Sequence, residues 1–310
     1  MAISIKIKSP DGVNVNVGKN NDFSDLPSMF DPQNSNFGYF YTSLNNASEY
    51  GLAEMKDGSA FTAGSALLAK GNLSYDITSH IVTGRLDSIA FGEDLQGVTG
   101  GFGTTENKMS LQTTDMTFSN LGLDADDGDD VNGVLYGLMT GDASDFFAYL
   151  KTQAVNFTGG KGDDSYNGGN MADMLAGGAG DDILIGGGGR DILIGGKGAD
   201  TLTGGGKADD FVFAKLSASS SEAVDTITDF NGKGGDRIDL SALDADKTTK
   251  GVQHFDFIGK QDFSDEAGEL RYEKSKSGTD IYADVNGDAE ADFALHLDPS
   301  LTLRESYFAL

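Results

Sequence analysis

From Gly159 the chain repeats itself every nine residues, and that period limits what this stretch can fold into. Six nonads run without a gap, beginning at Gly159, Gly168, Gly177, Gly186, Gly195 and Gly204. Each opens with Gly-Gly and carries aspartate at its sixth place: Asp164, Asp173, Asp182, Asp191, Asp200 and Asp209. Each also holds a large apolar residue at its eighth place: Tyr166, Leu175, Leu184, Leu193, Leu202 and Phe211. Fixed self-similarity of this kind marks a repeat architecture. A flexible Gly/Asp linker has no reason to keep an apolar residue at every ninth position.

The period has a direct physical reading. One nonad cannot bury its single apolar side chain, but stacked nonads make a continuous apolar column flanked by short parallel strands. Glycine supplies the positive φ of a tight turn and leaves bare backbone carbonyls free to face an ion. Gly160, Gly162, Gly178, Gly180, Gly187, Gly189, Gly196 and Gly198 hold the second and fourth places of four nonads. Met171 and Lys207 stand where a fourth-place glycine belongs, so their turns are the irregular ones. Turns on one side recur every second nonad, which sets Asp164 against Asp182, Asp182 against Asp200, Asp173 against Asp191, and Asp191 against Asp209. Unneutralised, these carboxylates repel, and a hard cation bound by oxygen removes the repulsion. The six aspartates and eight glycines are therefore the candidate ligands for such a cation.

The pattern Gly-Gly-x-Gly-x-Asp-x-apolar-x resembles the repeats-in-toxin family, which implies a parallel β-roll, a calcium-binding solenoid. The rest of the composition agrees with cations as partners. Forty-nine Asp and Glu against 22 Lys and Arg give a net charge of −27, which repels nucleic acid and anionic lipid. With no cysteine, neither disulfides nor thiolate metal sites are available. No apolar run reaches the roughly 18–20 residues that span a bilayer, and no transmembrane segment is expected. The alternating start Met1–Lys8 lacks the apolar core of a signal peptide, so an export signal is expected elsewhere.

From the last repeat onward, Ala208–Phe213, Asp225–Phe230, Asp236–Leu243, Gly268–Tyr272 and Asp284–Phe293 follow in an order that resembles the C-terminal domain of serralysin-type proteases. That resemblance implies a non-catalytic β-rich cap with an uncleaved C-terminal signal for a type I secretion apparatus. The chain closes on Glu305-Ser-Tyr-Phe-Ala-Leu310, an acidic residue before an apolar tail. The protease part has no counterpart: His80, His254 and His296 are the only histidines, and none belongs to the His-Glu-x-x-His of a zinc-protease helix. The protein is expected not to be an enzyme. Asp284, Asn286 and Asp288, with Glu290 and Asp292, alternate like a calcium loop or a solvated strand-turn. The glycine and terminal glutamate of an EF-hand are out of register.

Residues 1–155 have the mixed composition of an α+β domain. Strands are expected at 4–8 and 13–17, where side chains alternate with period two, and further strands at 73–77, 83–91 and 109–113. Helices are expected at 133–139 and 143–150, the second capped by Asp142. Asp124–Asp130 reads as a solvated acidic loop. Gly71-Asn-Leu-Ser-Tyr75, Gly84–Gly92 and Val134–Asp142 resemble the secreted bacterial haemophores. These are α+β shells that hold one haem and deliver it to an outer-membrane receptor. The resemblance implies tyrosinate ligation by Tyr75, with His80 accepting its hydrogen bond, and Tyr136 and Met139 in the pocket wall. The chemistry is coherent. A phenol of pKa near 10 is a poor neutral-pH ligand, and a hydrogen bond to imidazole gives it phenolate character suited to ferric haem. Met29–Gly38, where many haemophores bring a second axial histidine, has none, and the amide of Gln33 is a weak substitute. Five-coordinate haem is the version this sequence permits.

Three segments are thus expected: 1–155 haemophore-like, 156–213 β-roll, and 214–310 a C-terminal β domain with the secretion signal. The leading reading is an extracellular, calcium-folded haem-acquisition protein with calcium and haem as cofactors. The alternative keeps the same fold without haem, as an adhesin or another ligand-binding module carried on a calcium-folded roll.

Overall fold

The computed structural model describes residues 2–8, 41–42, 49–53, 65–76, 81–96, 110–125, 128–140 and 144–310. The strand expected at 13–17, the 29–38 segment, His80 and the Asp142 cap lie outside the described residues. The chain divides into two compact units, one up to Gln153 and one from Ala154 onward. The molecule is mostly β, with few helices and extended parallel sheets.

The first unit contributes β1 (Ile3–Ile7), β2 (Tyr41–Thr42), β3 (Glu49–Ala53), β4 (Ser65–Asp76), β5 (Ile81–Gln96) and β6 (Ser110–Asp124). It also holds two helices, α1 (Val131–Thr140) and α2 (Ser144–Leu150). The strands form an antiparallel sheet in the order β2-β3-β4-β5-β6-β1. On β1 the period-two pattern buries Ile3, Ile5 and Ile7. β4, β5 and β6 run longer than the strands expected at 73–77, 83–91 and 109–113, and their pairing carries register shifts at Lys70/Gly71, Leu86/Ser88 and Phe91/Gly92. Asp130 caps α1, its Oδ1 accepting the Gly133 amide at 2.7 Å. Part of the acidic run is thereby given a structural use. Phe118 of β6 meets Phe146 of α2 edge-on at 4.9 Å between ring centroids, and both are buried with Val134, Leu138 and Leu150.

The second unit opens with β7 (Val155–Thr158), β8 (Ser165–Asn167), β9 (Met174–Ala179), β10 (Ile183–Gly188), β11 (Ile192–Lys197), β12 (Thr201–Gly206) and β13 (Asp210–Val212). Alternate nonads feed opposite sheets: β7, β9, β11 and β13 pair in parallel in one, and β8, β10 and β12 in the other. The C-terminal segment extends both. β14 (Asp225–Ile227) adds to β12, while β15 (Arg237–Asp239) and then β20 (Phe308–Ala309) add beyond β13. β16 (Asp256–Gly259), β17 (Glu269–Lys274), β18 (Thr279–Asp284) and β19 (Phe293–Leu297) finish the second sheet, with β19 parallel to β14.

Register explains the eighth-place residues. Phe157, Leu175, Leu193, Phe211, Ile238 and Phe308 stack on one sheet, facing Tyr166, Leu184, Leu202, Ile227 and Leu297 from the other, and all are buried. The first turn closes on two aromatics, Phe157 and Tyr166, stacked at 4.7 Å. Leu193 is fully buried in the middle of the column, and truncating such a leucine costs transfer and cavity energy together. Leu193→Ala is expected to lower the unfolding free energy of the chain by about 2–5 kcal/mol, measured by denaturant titration.

Candidate functional site

Sixth-place aspartates build one ladder along each edge of the roll. The Oδ1 of each accepts the backbone N–H of the aspartate eighteen residues earlier: Asp182 from Asp164 at 2.7 Å, Asp191 from Asp173 at 2.8 Å, Asp200 from Asp182 at 2.8 Å, and Asp209 from Asp191 at 2.9 Å. Asp173 begins one ladder by accepting the Val155 amide at 2.7 Å. The pairs expected from the period are therefore joined by carboxylate-to-amide bonds, and every sixth-place aspartate is buried.

The second oxygen of each carboxylate behaves in two ways. Asp164 and Asp173 receive Gly160 and Gly169 amides on Oδ2, at 2.6 and 3.1 Å. Oδ2 of Asp182, Asp191, Asp200 and Asp209 is buried with no hydrogen-bond partner. An orphaned buried carboxylate oxygen is costly. These oxygens sit over first-place glycines. A Cβ at Gly177 would fall 2.2 Å from Asp182 Oδ2 and 2.7 Å from the Gly195 carbonyl. At Gly186 the distances are 2.4 Å to Asp191 Oδ2 and 2.7 Å to the Gly204 carbonyl. Glycine is thus required where an aspartate oxygen and the next same-side turn's carbonyl approach one point.

The electrostatic consequence is uniform in sign. Burial, opposed by the amide bond and reinforced by neighbouring carboxylates, pushes Asp182 up to about 7, and Asp191, Asp200 and Asp209 up to about 6. Burial also raises Asp173. Among the described residues no three carboxylate or imidazole side chains converge on one point. An ion at these turns would draw on glycine carbonyls as much as on aspartate.

Two ladder members were missed in the sequence because they fall outside the nonad period. Asp225 accepts the Asp200 amide at 2.9 Å across 25 residues, and Asp236 accepts the Asp209 amide at 3.1 Å across 27. Asp225 Oδ2 is a further buried orphan, and burial with neighbouring carboxylates pushes that group up to about 8. The signal was the local triplet: Asp225-Thr-Ile227 and Asp236-Arg-Ile238 repeat the sixth-to-eighth-place pattern. Ser219 ends its edge by accepting the Asp225 amide at 2.8 Å while donating to the Ala294 carbonyl.

The turns also explain the irregular nonads. Second-place Gly178, Gly187, Gly196 and Gly205 and fourth-place Gly180 and Gly198 all take positive φ. Lys207, at a fourth place, is held at φ 83, where an L side chain costs roughly 1–2 kcal/mol. Lys207→Gly is expected to stabilise the chain by about 1 kcal/mol, read as a higher melting temperature. Met171 is exposed, and a Cβ at Gly189 would lie 2.1 Å from its carbonyl.

In the Asp284 loop, Asp284 is buried, its Oδ1 accepting the Asn286 and Gly287 amides and its Oδ2 the Ala289 amide, at 2.8–2.9 Å. Asn286 and Asp288 close successive turns by accepting the Asp288 and Glu290 amides, each at 2.9 Å. All three therefore already serve as backbone acceptors.

In the first unit, Tyr75 lies next to the end of β4, opposite Val82 of β5. Tyr136 and Met139 lie on α1, three residues apart and hence on neighbouring positions of one helix face, and α1 packs with β5. Gly71 sits at the β4 bulge, where a Cβ would fall 2.0 Å from the Arg85 carbonyl. Glycine there lets the Tyr75-bearing half of β4 stay paired.

Residues 20–181 match the heme-binding protein A (HasA) family, and residues 137–304 match the peptidase M10 serralysin C-terminal family. The hemophore HasA of Serratia marcescens is 35% identical over 115 residues, covering 35% of this chain. The chain spans 55% of that relative's length. An apo structure of hemophore HasA from Yersinia pestis aligns at 19% identity, with a TM-score of 0.34, over 49% of this chain and 87% of that one. The AlgE6R3 subunit of the Azotobacter vinelandii mannuronan C5-epimerase aligns at 31% identity, with a TM-score of 0.33, over 44% and 71%.

Proposed function

The chain belongs to the heme-binding protein A (HasA) family and carries a serralysin-type C-terminal domain, and from that premise we propose that it is an exported haem-capturing protein folded by calcium. Haem is the cargo. Tyr75, at the end of β4, ligates ferric haem as tyrosinate; His80 accepts the phenol's hydrogen bond and so favours the ionised ligand, and Tyr136 and Met139 of α1 line the pocket. Support comes from the family match, which spans all four residues, and from the hairpin that Gly71 keeps paired through Tyr75.

Calcium is the ion the roll would take, and the fit is chemical. Five buried carboxylate oxygens, those of Asp182, Asp191, Asp200, Asp209 and Asp225, lack partners. First-place glycines leave room for neighbouring carbonyls to approach them. All-oxygen donor sets with flexible geometry suit calcium, and a bound ion would supply the positive charge these turns lack. Asp164, Asp173 and the carbonyl-bearing Gly160, Gly162, Gly178, Gly180, Gly187, Gly189, Gly196 and Gly198 complete the proposed ligand set, with Asp284, Asn286 and Asp288 as a separate loop. The orphaned ladder oxygens are the observation that carries this half. Because extracellular calcium modules bind at roughly 10⁻⁴–10⁻³ M, the chain would pass a type I secretion apparatus unfolded and fold outside, by mass action. There it would hand haem to an outer-membrane receptor.

The direct test is a haemin titration of the calcium-loaded full chain, followed by visible absorption. The proposal expects one equivalent bound, with a tyrosinate-type ferric spectrum. An unchanged haemin spectrum at stoichiometric protein would overturn haem capture and leave the adhesin reading.

A further inference from the structure

A cavity of about 360 Å³ opens in the second unit between the 231–233 turn, the end of β17 and the 300–307 segment. Its walls are fixed by the fold. The Asn231 carbonyl accepts the Gly234 amide at 2.7 Å, and Gly232 lies so close to the Tyr307 ring that a Cβ would meet it at 2.6 Å. Thr279 Oγ1 donates to the Pro299 carbonyl at 3.0 Å and accepts the Leu301 amide at 2.8 Å, while Ser300 Oγ donates to the Ser275 carbonyl at 2.6 Å. Three elements distant in sequence are thus locked around one hollow with the buried Tyr307 in its lining.

Charge separates this cavity from the rest of the molecule. Lys233, Lys274 and Arg304 all line it, in a chain where acidic residues outnumber basic ones by 49 to 22. None of the three forms an ion pair with a described carboxylate, although Arg190, Arg271 and His296 of the same unit do. Asp236, the carboxylate next to this turn, is already occupied by the Asn231 amide at 2.8 Å and the Asp209 amide at 3.1 Å. Three basic residues therefore line one hollow with no ion-pair partner among the described carboxylates, beside Thr302. We propose that this cavity binds a small polyanion, a molecule carrying two or three carboxylate or phosphate groups. Arg304 offers a planar fork suited to one oxyanion group, and the two lysines act as point charges for the others. The volume falls within the range of ligand pockets, about 300–1,000 Å³.

Isothermal titration of the calcium-loaded full chain at fixed ionic strength tests this, with propane-1,2,3-tricarboxylate as the probe and inorganic sulfate as the single-group comparison. The expected result is saturable tricarboxylate binding, weaker sulfate binding, and a loss of at least about tenfold in tricarboxylate affinity in Lys233→Ala/Lys274→Ala/Arg304→Ala. All three side chains are exposed, so the variant is expected to keep the wild-type circular dichroism in calcium. Heat from chelation of loosely held calcium would appear equally in wild type and variant, so their difference isolates the cavity. No saturable binding by wild type, equal affinity in the variant, or sulfate binding as tightly as the tricarboxylate would each overturn the proposal. Haem binding does not enter this test, and the circular dichroism of the wild type in calcium distinguishes its failure from a failure of the ladder to fold.

Discussion

Stripped of calcium by a chelator at pH 7.4, the protein is expected to lose the β signal of its second unit, and acidifying the same sample to about pH 4.5 is expected to restore it. The reasoning runs through the ladder. Burial raises Asp182 to about 7, Asp191, Asp200 and Asp209 to about 6, and Asp225 to about 8, against an ordinary value of 3.8. A carboxylate raised on folding binds its proton more tightly in the folded chain than in the unfolded one. Its contribution is fully present below about pH 4 and is lost as pH rises through the folded value, here between about 6 and 8. The five shifts share one sign, so ionising these carboxylates works against folding at every step of the ladder. Bound calcium would reverse the sign at neutral pH, because an ion held by the ionised oxygens replaces the proton. Far-UV circular dichroism against pH, with and without calcium, checks this. A chelated chain that is folded at pH 7.4 and unfolds on mild acidification would show the opposite linkage.

Tyr75→Phe is expected to abolish the tyrosinate-type spectrum and to weaken haem binding by more than His80→Ala does. Removing the phenol oxygen deletes the metal ligand itself, whereas removing a ligand's hydrogen-bond partner typically costs about 10–100-fold in metal affinity. The pair of variants separates roles. If Tyr75 ligates and His80 orients, His80→Ala keeps a tyrosinate band of reduced intensity whose formation moves to higher pH, because the phenol loses the acceptor that favours its ionised form. Tyr75→Phe has no such band at any pH. Retention of the wild-type spectrum in Tyr75→Phe would assign the iron to another ligand. Both variants leave the ladder untouched, so their calcium-dependent circular dichroism is expected to match wild type and serves as the folding control.

How much could be read in advance differed sharply between the two units. In the repeats each place has one job, so Asp182 and Leu184 could be assigned to turn and column from the period alone, and their register bears this out. Once insertions break the period, the same geometry persists without its signature. Asp225 and Asp236 occupy ladder positions 25 and 27 residues beyond their partners, and only the local Asp-x-Ile pattern could have flagged them. In the first unit, bulges interrupt the pairing at Lys70/Gly71 and Leu86/Ser88, and the strands that form there are longer than the segments expected at 73–77 and 83–91. Acidic clusters were the least legible. Asp130 caps a helix and Asp284 closes a loop with three amides, uses that depend on backbone direction and not on composition. The cationic cavity was invisible for a related reason: Lys233, Lys274 and Arg304 are far apart in sequence and meet only through the fold.

The central claim is that the orphaned ladder oxygens are held by divalent cations, and an anomalous difference map from crystals grown in calcium tests it most directly. The account predicts peaks beside Oδ2 of Asp182, Asp191, Asp200, Asp209 and Asp225, each also within coordinating distance of glycine carbonyls. An ordered roll with no peaks at these oxygens, its calcium confined to the Asp284 loop or absent, would contradict it.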